Sequence, residues 1–401
     1  MNICIIGGGA AGMAAAITAA GNGHRVLLLE RQARVGRKLL STGNGRCNLT
    51  NLQAGLSSHY HGDASLAGSV LGRAELNAAA TLDWFASLGL LTTAEDSGRV
   101  YPYSNMAGSV LDVLRYALES PLIQVCTGCT VTGIRVKNNS FTVVADNESF
   151  TADRVILATG GAAGAKLGGV MDGYRLARDL GHHRTALFPS LVQLKTDPTY
   201  PRSLKGVKAQ AAVSILRGGE ILGRAEGEIL FTEYGVSGPA VFDVSRSVST
   251  GGDGLVCQLD LLPEWDEEQT LSWLRQRQKD MARQESQLLL TGLFHTRLGQ
   301  VVCKASGFTA QIAESLTESD LRAIAGTIHH FCLPVTGTCG FDQAQVTAGG
   351  LRTDEFDPET LQSRLVPGFY ACGEVLDEDG DCGGYNLQWA WSSGRLAGQL
   401  R

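Results

Sequence analysis

Six residues near the start of the chain restrict its fold more than any other feature: Gly7-Gly8-Gly9-Ala10-Ala11-Gly12, directly behind the apolar run Asn2-Ile-Cys-Ile-Ile6. The run reads as a short, buried parallel strand, and the Ala-rich segment to about Ala20 as the helix after the turn. Gly21 to Gly23 end that helix, Arg25-Val-Leu-Leu-Leu29 supplies a second strand, and Glu30 closes it eighteen residues after Gly12. Gly7 permits a tight turn, Gly9 lets backbone N–H groups approach a pyrophosphate, and Gly12 lets the helix pack closely on the strand. The helix N-terminus then faces the phosphates, and Glu30 accepts hydrogen bonds from ribose hydroxyls. A glycine-rich loop alone is weak evidence. Here strand, helix, second strand and acid all stand at the required spacing, which predicts a dinucleotide-binding unit without choosing between NAD and FAD.

The next segment points to FAD. Arg31-Gln-Ala-Arg-Val-Gly36 leads into Arg37-Lys38-Leu39-Leu40-Ser-Thr-Gly43-Asn44-Gly45-Arg46-Cys47-Asn48-Leu-Thr-Asn51. A plain NAD-binding unit would proceed to another helix, whereas this basic, Gly- and Asn-rich loop has few apolar anchors and needs a ligand to organise it. At the far end, Gly368-Phe-Tyr-Ala-Cys-Gly373-Glu374 reads as a strand entering a turn. Asp377, the pair Gly383-Gly384 and then Tyr385-Asn386-Leu387-Gln388 follow, opening a helix that runs on to about Gly398. Carboxylates at a strand end suit the hydroxyls of a ribityl chain. A helix starting near Asn386 aims free N–H groups at the pyrimidine edge of an isoalloxazine, where they stabilise the anion formed on reduction.

These blocks resemble, in order along the whole chain, the bacterial FAD-binding flavoproteins called YhiN-like or BaiN-like, some of which are described as aminoacetone oxidases. The resemblance rests on GGGAAG at 7–12, VGRKLLSTGNGRCNLTN at 35–51, GRVYPYS at 98–104 and ILATGG at 156–161. It continues through FTEYGVSGPAVFDVS at 231–245, QVTAGGL at 345–351 and GFYACGEVLDEDGDCGGYNLQWAWSSG at 368–394. It implies non-covalent FAD on a fold similar to that of glutathione-reductase-type flavoproteins. By position it places Gly7, Gly9, Gly12, Glu30, Lys38, Asn44, Arg46, Cys47, Asn48, Gly373, Glu374, Asn386, Leu387 and Gln388 around the cofactor. The candidate cofactor-binding set also takes in Ala10, Ala11, Arg31, Leu39, Gly45, Val131, Thr159, Gly160, Asp377, Gly384 and Tyr385. Cys382 departs from the pattern, standing where Thr or a similar small polar residue is expected.

Between the two ends, helical spacing predicts helices from Leu76 to Gly89 and from Met106 to Glu119. Strand signals at Ile123-Gln-Val125, Val131 to Val136, Phe141 to Ala145 and Arg154 to Ala158 predict a β-meander, and a helix follows from about Gly173 to Leu180. From Pro189 the runs turn β-rich, with Gly238-Pro239 as a helix start, and from about Pro263 to His330 they turn helical. The expected fold class is α/β: a Rossmann-type FAD domain from 1–188 and 342–401, a β-rich insert from 189–262 and 332–341, and a helical subdomain over 263–331.

Cys126-Thr-Gly-Cys129 invites a disulfide-reductase reading, but a redox pair needs a helix N-terminus to lower the attacking thiol's pKa, and here the pair bridges two strand signals. Cys47 could be a redox thiol or a structural contact, with structure favoured. His182-His183 has no Cys or His at ligand spacing, so no metal is expected. The 401-residue chain carries a net charge of −6 and no basic run, which disfavours nucleic acid. Residues 3–21 are broken by five glycines and lack a basic leader, so neither a membrane span nor an export signal is read there. A cytoplasmic location with reduced cysteines is expected. No catalytic residue is assigned, since the flavin carries the chemistry.

The leading functional expectation is an FAD-dependent oxidoreductase that passes a hydride between flavin N5 and a small organic substrate held between FAD domain and insert. It is read first as an NAD(P)H-fed reductase of an activated double bond. An amine oxidase using O2 is the alternative, as the resemblance implies. A flavin-dependent RNA-modifying protein and a non-catalytic flavin binder are further readings. The chain has one dinucleotide fingerprint, because Thr159-Gly-Gly-Ala-Ala-Gly164 lacks a second strand and acid, so NAD(P)H would bind only transiently.

Overall fold

The computed structural model describes residues 1–401 except 139, 147, 310 and 401. The chain forms two compact units, Met1–Phe188 with Gln345–Arg401, and Pro189–Ala344.

The first unit is built on a five-stranded parallel sheet. Its strands are β1 (Asn2–Ile6), β2 (Arg25–Glu30), β3 (Ile123–Thr127), β4 (Arg154–Leu157) and β5 (Phe369–Ala371), in the order β5–β4–β1–β2–β3. β1, β4 and β5 read as apolar runs because they are covered: Ile3, Ile5, Val155, Ile156 and Phe369 are all buried. β3 corrects the sequence reading, which took Ile123–Val125 into the meander; it pairs in parallel with β2 instead. The meander itself has three strands, Val131–Lys137, Ser140–Ala145 and Glu148–Ala152. The two predicted helices are present as Ala78–Ser87 and Ala107–Leu118, the second burying Val110, Leu111, Leu114 and Leu118.

What joins the two chain ends is a helix pair. Helix α1 (Ala10–Gly21) follows β1, and helix α2 (Tyr385–Gln399) follows β5. A Cβ at Gly394 would lie 2.3 Å from the Ala11 carbonyl oxygen, and one at Gly398 would lie 2.6 Å from that of Ala15. Four-residue spacing puts both glycines on one face of α2, where backbone packs directly against backbone.

The second unit is a closed six-stranded barrel, with Leu194–Thr196, Gly235–Ser237, Glu220–Phe231, Lys208–Arg217, Leu255–Asp260 and Phe331–Thr338 as successive neighbours. Leu194 pairs with both Val236 and Thr338, which shuts the ring. The helix Pro239–Thr250 starts at Gly238-Pro239 and buries Val241, Val244 and Val248. Helices Glu267–Asp280 and Glu318–His329 begin in capping boxes, Asp266 with Gln269 and Thr317 with Asp320. With Thr296–Ala305 they send Leu271, Leu274, Val302, Ile324 and Ile328 into the same apolar core as barrel residues Cys257, Leu259 and Phe331. Among the described residues, no helix is long and apolar enough to cross a membrane.

Candidate functional site: a two-ended dinucleotide cradle

The three fingerprint glycines have distinct surroundings. A Cβ at Gly12 would fall 1.8 Å from the Gly7 carbonyl oxygen, and one at Gly7 would fall 2.4 Å from that of Ala158. Both positions are closed by backbone. Gly9 is different: it caps α1 without a side-chain hydrogen bond, and nothing lies within 4 Å of where its Cβ would be. The first N–H groups of the helix have no intrahelical acceptor, and space is open beside Gly9 at its positive end, as an incoming diphosphate requires. Glu30, 9% exposed, is anchored by backbone: Oε2 accepts from the Gly8 N–H and Oε1 from the Gln32 N–H, each at 2.7 Å. Each carboxylate oxygen keeps acceptor capacity for a ligand hydroxyl.

The second block wraps as a loop with repeated left-handed backbone. Gly43, Asn44, Gly45 and Cys47 all have φ between +56° and +85°. Cys47 is fully buried, and its N–H donates to the Thr42 carbonyl at 3.0 Å. Burial pushes its thiol up to about 12, against an opposing hydrogen bond with Thr42, so it is a packed, inert thiol. Arg46 lies over the Tyr101 ring at 4.1 Å and pairs with Glu95 at 3.2 Å. Leu39 is buried, and Lys38 reaches across to Glu374 at 2.8 Å. Glu374 Oε1 also accepts from the Thr347 N–H at 3.0 Å, so this carboxylate is fixed from two directions.

At the start of α2, Gly384 sits at φ +102°, and a Cβ there would lie 2.5 Å from the Thr50 carbonyl oxygen and 2.9 Å from Asn48 Oδ1. The helix has no side-chain cap at Gly384, so its first turn lacks the usual side-chain acceptor. Asn48 Oδ1 beside it is buried with no hydrogen-bond partner, an acceptor that a ligand N–H would satisfy. Gly373 approaches α1, where its Cβ would meet Ala11 Cβ at 2.7 Å. The fold thus brings the start of α1, Glu30, the 38–48 loop, Glu374 and the start of α2 into one unit, with two uncapped helix starts and an orphaned acceptor. These residues fit FAD.

Some predicted residues stand apart from that set. Gln388 is fully buried, and its amide serves a polar knot: Oε1 accepts from Thr50 at 2.5 Å, and Nε2 donates to Leu76 O, Thr81 and Ser392. Its side chain ties α2 to Thr50, Leu76 and Thr81, so a part for Gln388 at the cofactor would fall to its backbone. Arg31 turns outward to Asp172 at 3.5 Å. Asn386 clamps the preceding loop, with Nδ2 donating to Gly380 O at 2.7 Å and Oδ1 accepting from Gly380 N at 2.9 Å, which leaves only its backbone N–H for a cofactor. Val131 is buried at the start of the meander, Thr159 and Gly160 follow β4, Leu387 is half-buried, and the Asp377 carbonyl accepts from the Asp63 N–H at 3.1 Å.

Two sharper readings of the sequence can also be placed. Cys126 lies one residue before the end of β3 at the sheet edge, with Cys129 in the turn beyond it; burial first, then Asp146, push the Cys129 thiol up rather than down. His182 and His183 both bond one carboxylate, Glu355, at 2.8 and 2.7 Å. One cluster escaped the sequence reading altogether. His59 and His61 flank Asp381 at 2.8 and 2.5 Å, and the His59 ring stacks on Tyr385 with centroids 4.3 Å apart. The His-x-His spacing was the available signal, but its acid lies more than three hundred residues away.

Known proteins resemble this chain along nearly its whole length. The model of the HI0933-like protein Rossmann domain matches residues 1–400. The 3-dehydro-bile acid delta(4,6)-reductase of Clostridium scindens is 40% identical over 99% of this chain and 98% of its own. The ribosomal RNA dihydrouridine synthase of Escherichia coli is 29% identical over 97% of this chain and 95% of its own. Among solved structures, a 3-ketosteroid-delta4-(5alpha)-dehydrogenase from Rhodococcus jostii RHA1 aligns with a TM-score of 0.51 at 15% identity, over 99% of this chain and 95% of that one. The open form of a flavocytochrome c3 fumarate reductase aligns at 0.50 and 16%, over all of this chain and 77% of that one. At such identities these two structures speak for the fold alone. The chain therefore belongs to the HI0933-like family of Rossmann-domain proteins and is an FAD-dependent oxidoreductase.

Proposed function

We propose that this protein reduces a carbon–carbon double bond conjugated to a carbonyl group in a small, steroid-like acid, with electrons supplied by transiently bound NADH or NADPH. The observation that carries the reading is the 40% identity, end to end, with a reductase whose name places its double bonds in a 3-oxo bile acid. When bound, FAD supplies a hydride donor and acceptor at N5. The protein's part would be to hold and orient it: α1 would face the diphosphate, Glu30 the adenosine ribose, Glu374 and Asp377 the ribityl chain, and the 43–48 loop with the start of α2 the isoalloxazine. Thr159–Gly164 is followed by the 3-10 turn Ala165–Leu167 before the helix Asp172–Arg178, so a nicotinamide donor would bind without a Rossmann cradle there.

The relative named as a ribosomal RNA dihydrouridine synthase shares saturation of a conjugated ring double bond, which makes RNA the second substrate class to test. Holoprotein reduced anaerobically would be mixed with a 3-oxo-4,6-diene bile acid, with uridine-containing ribosomal RNA, and with O2 after reduction by aminoacetone. Flavin reoxidation by the steroid acid, with loss of its diene absorbance, is the expected result. Reoxidation by RNA alone, or reduction by aminoacetone with no response to the diene, would overturn it.

A further inference from the structure

Saturating a conjugated double bond takes a hydride and a proton, and a flavin delivers only the hydride to carbon. If the chain is a double-bond reductase, as proposed above, a proton donor must stand near the start of α2. We propose that His59 holds and delivers this proton, with Asp381 as its positioning residue.

The arrangement starts from a short strand contact. Tyr60 pairs antiparallel with Gly380, the His61 N–H donates to Asp379 O at 2.9 Å, and the Asp381 N–H donates to His59 O at 3.0 Å. His59 ends the 3-10 turn Ser57–His59 and Tyr60 returns to extended backbone, and both His59 and His61 turn to Asp381. Tyr60 is buried, its hydroxyl donating to Ala54 O at 3.2 Å. The two imidazoles take the two oxygens of Asp381, His59 through Nδ1 and His61 through Nε2. Asp381 is held under them because Asn386, in the first turn of α2, clamps Gly380 and donates to the Asp381 carbonyl at 3.3 Å.

One carboxylate on Nδ1 fixes the tautomer and orientation of His59, the role an aspartate plays toward a catalytic imidazole. Nε2 of His59 has no partner among the described residues, and the side chain is 26% exposed. The ring stacks on Tyr385, the first residue of α2, so the open nitrogen belongs to the end of the fold where the flavin's pyrimidine edge is proposed to lie. Other ionisable groups there are less suited. Tyr60 is pushed well above the ordinary tyrosine range by burial and then by Glu378, Tyr385 and Asp381. Asp381 is drawn upward by burial, but its bonds to His61 and His59 hold it below the usual carboxylate range. Around the pair, Asp379 and Asp381 lie on the loop, Tyr385 on α2, and Arg99 reaches the Cys382 carbonyl at 3.5 Å from a neighbouring strand. In the balanced step, the carbon β to the carbonyl takes the hydride from reduced flavin and the double-bond pair moves to the α carbon. That carbon takes the proton from Nε2, leaving a neutral imidazole and oxidised flavin.

Before delivery the imidazole must be charged, so reduction of the flavin should draw a proton onto His59. Potentiometric titration of substrate-free holoprotein between pH 5 and 9 reads this as an extra proton taken up per flavin reduced. His59→Gln should abolish that uptake, His61→Gln should keep it, and Asp381→Asn should move it to lower pH. In single turnover with the 3-oxo-4,6-diene bile acid, His59→Gln should slow reoxidation by roughly 10²–10⁴-fold, the range for loss of a general acid. A parent with no extra uptake, or a His59→Gln protein with the parent's pH profile, overturns the proposal. If that variant fails to hold FAD, an Asp381→Asn profile identical to the parent's does so instead. If uptake depends on His59 but the parent ignores the diene, the proton site stands and the double-bond reading falls.

Discussion

Glu30 and Glu378 are both buried carboxyls, yet one is supplied with donors and the other is not. Glu30 accepts two backbone N–H bonds and retains acceptor capacity toward the cradle. Removing it as Glu30→Ala should weaken FAD binding by about 1.5–3 kcal/mol, the worth of a hydrogen bond to a charged group, or roughly 10- to 150-fold in Kd. Glu30→Gln, which keeps one acceptor oxygen, should lose less. Fluorescence titration of the apoprotein with FAD decides this, and unchanged affinity would take Glu30 away from the ribose. Glu378 is 1% exposed, and neither oxygen has a hydrogen-bond partner. Burial, then Asp379, Asp63 and Asp377, push it up to about 9, against a weaker pull from the Asp63 backbone. Between its ordinary pKa near 4.5 and about 9, the folded protein holds a proton that the unfolded chain has released, so stability falls as pH rises through that window. Glu378→Leu removes the group and should stabilise the protein by about 1–3 kcal/mol at pH 8, with a smaller gain at pH 5. Thermal melts at both pH values test this, and an equal gain at both would show that the carboxyl is not held neutral.

At the scale of elements, the strand–turn–helix at the chain start separates folding from binding within four residues. Gly12→Ala would put a methyl 1.8 Å from a backbone oxygen that cannot give way, so it should destabilise the unit by about 1–3 kcal/mol or more. Gly9→Ala meets no protein atom, and its φ of −80° and ψ of −169° suit alanine. Stability should hold, or rise by about 0.4–1 kcal/mol, while FAD affinity drops because the methyl takes space the diphosphate needs. Comparing urea melts with FAD titrations separates the two; equal loss of affinity and stability in both variants would contradict it. This element was legible in the sequence because its signals are local: turn, helix and acid lie within 25 residues. The His59–Asp381 pair was not, since it depends on a bridge between residues 60 and 380. Gln388 shows the remaining gap. Its place near the helix start was read correctly, but the direction of its side chain was set by Thr50, Leu76 and Thr81, three distant partners.

Over the whole molecule, sequence pattern and fold agree where segments are long and diverge where pairing closes a ring. The barrel of the second unit was read only as β-type runs, because two of its strands, Leu194–Thr196 and Gly235–Ser237, have three residues each, and closure depends on Leu194 meeting Thr338. Glu220–Phe231 hid most of its length behind Gly223 and Gly227, which interrupt the apolar alternation. The consequence of two separate cores can be measured. One gathers α1, α2 and the parallel sheet; the other gathers the barrel and its helices. Every residue assigned to FAD lies in the first unit, which alone contains both chain ends. FAD should therefore stabilise that unit by mass action, by about 2.7 kcal/mol when free FAD is 100 times its Kd. For a body of this size that is a shift of roughly 2–4 °C per kcal/mol. Calorimetry of apoprotein with increasing FAD should show one transition climbing with ligand while another, belonging to residues 189–344, stays in place. A single transition that moves as a whole would mean that the two cores melt together and that cofactor binding is felt by the entire chain.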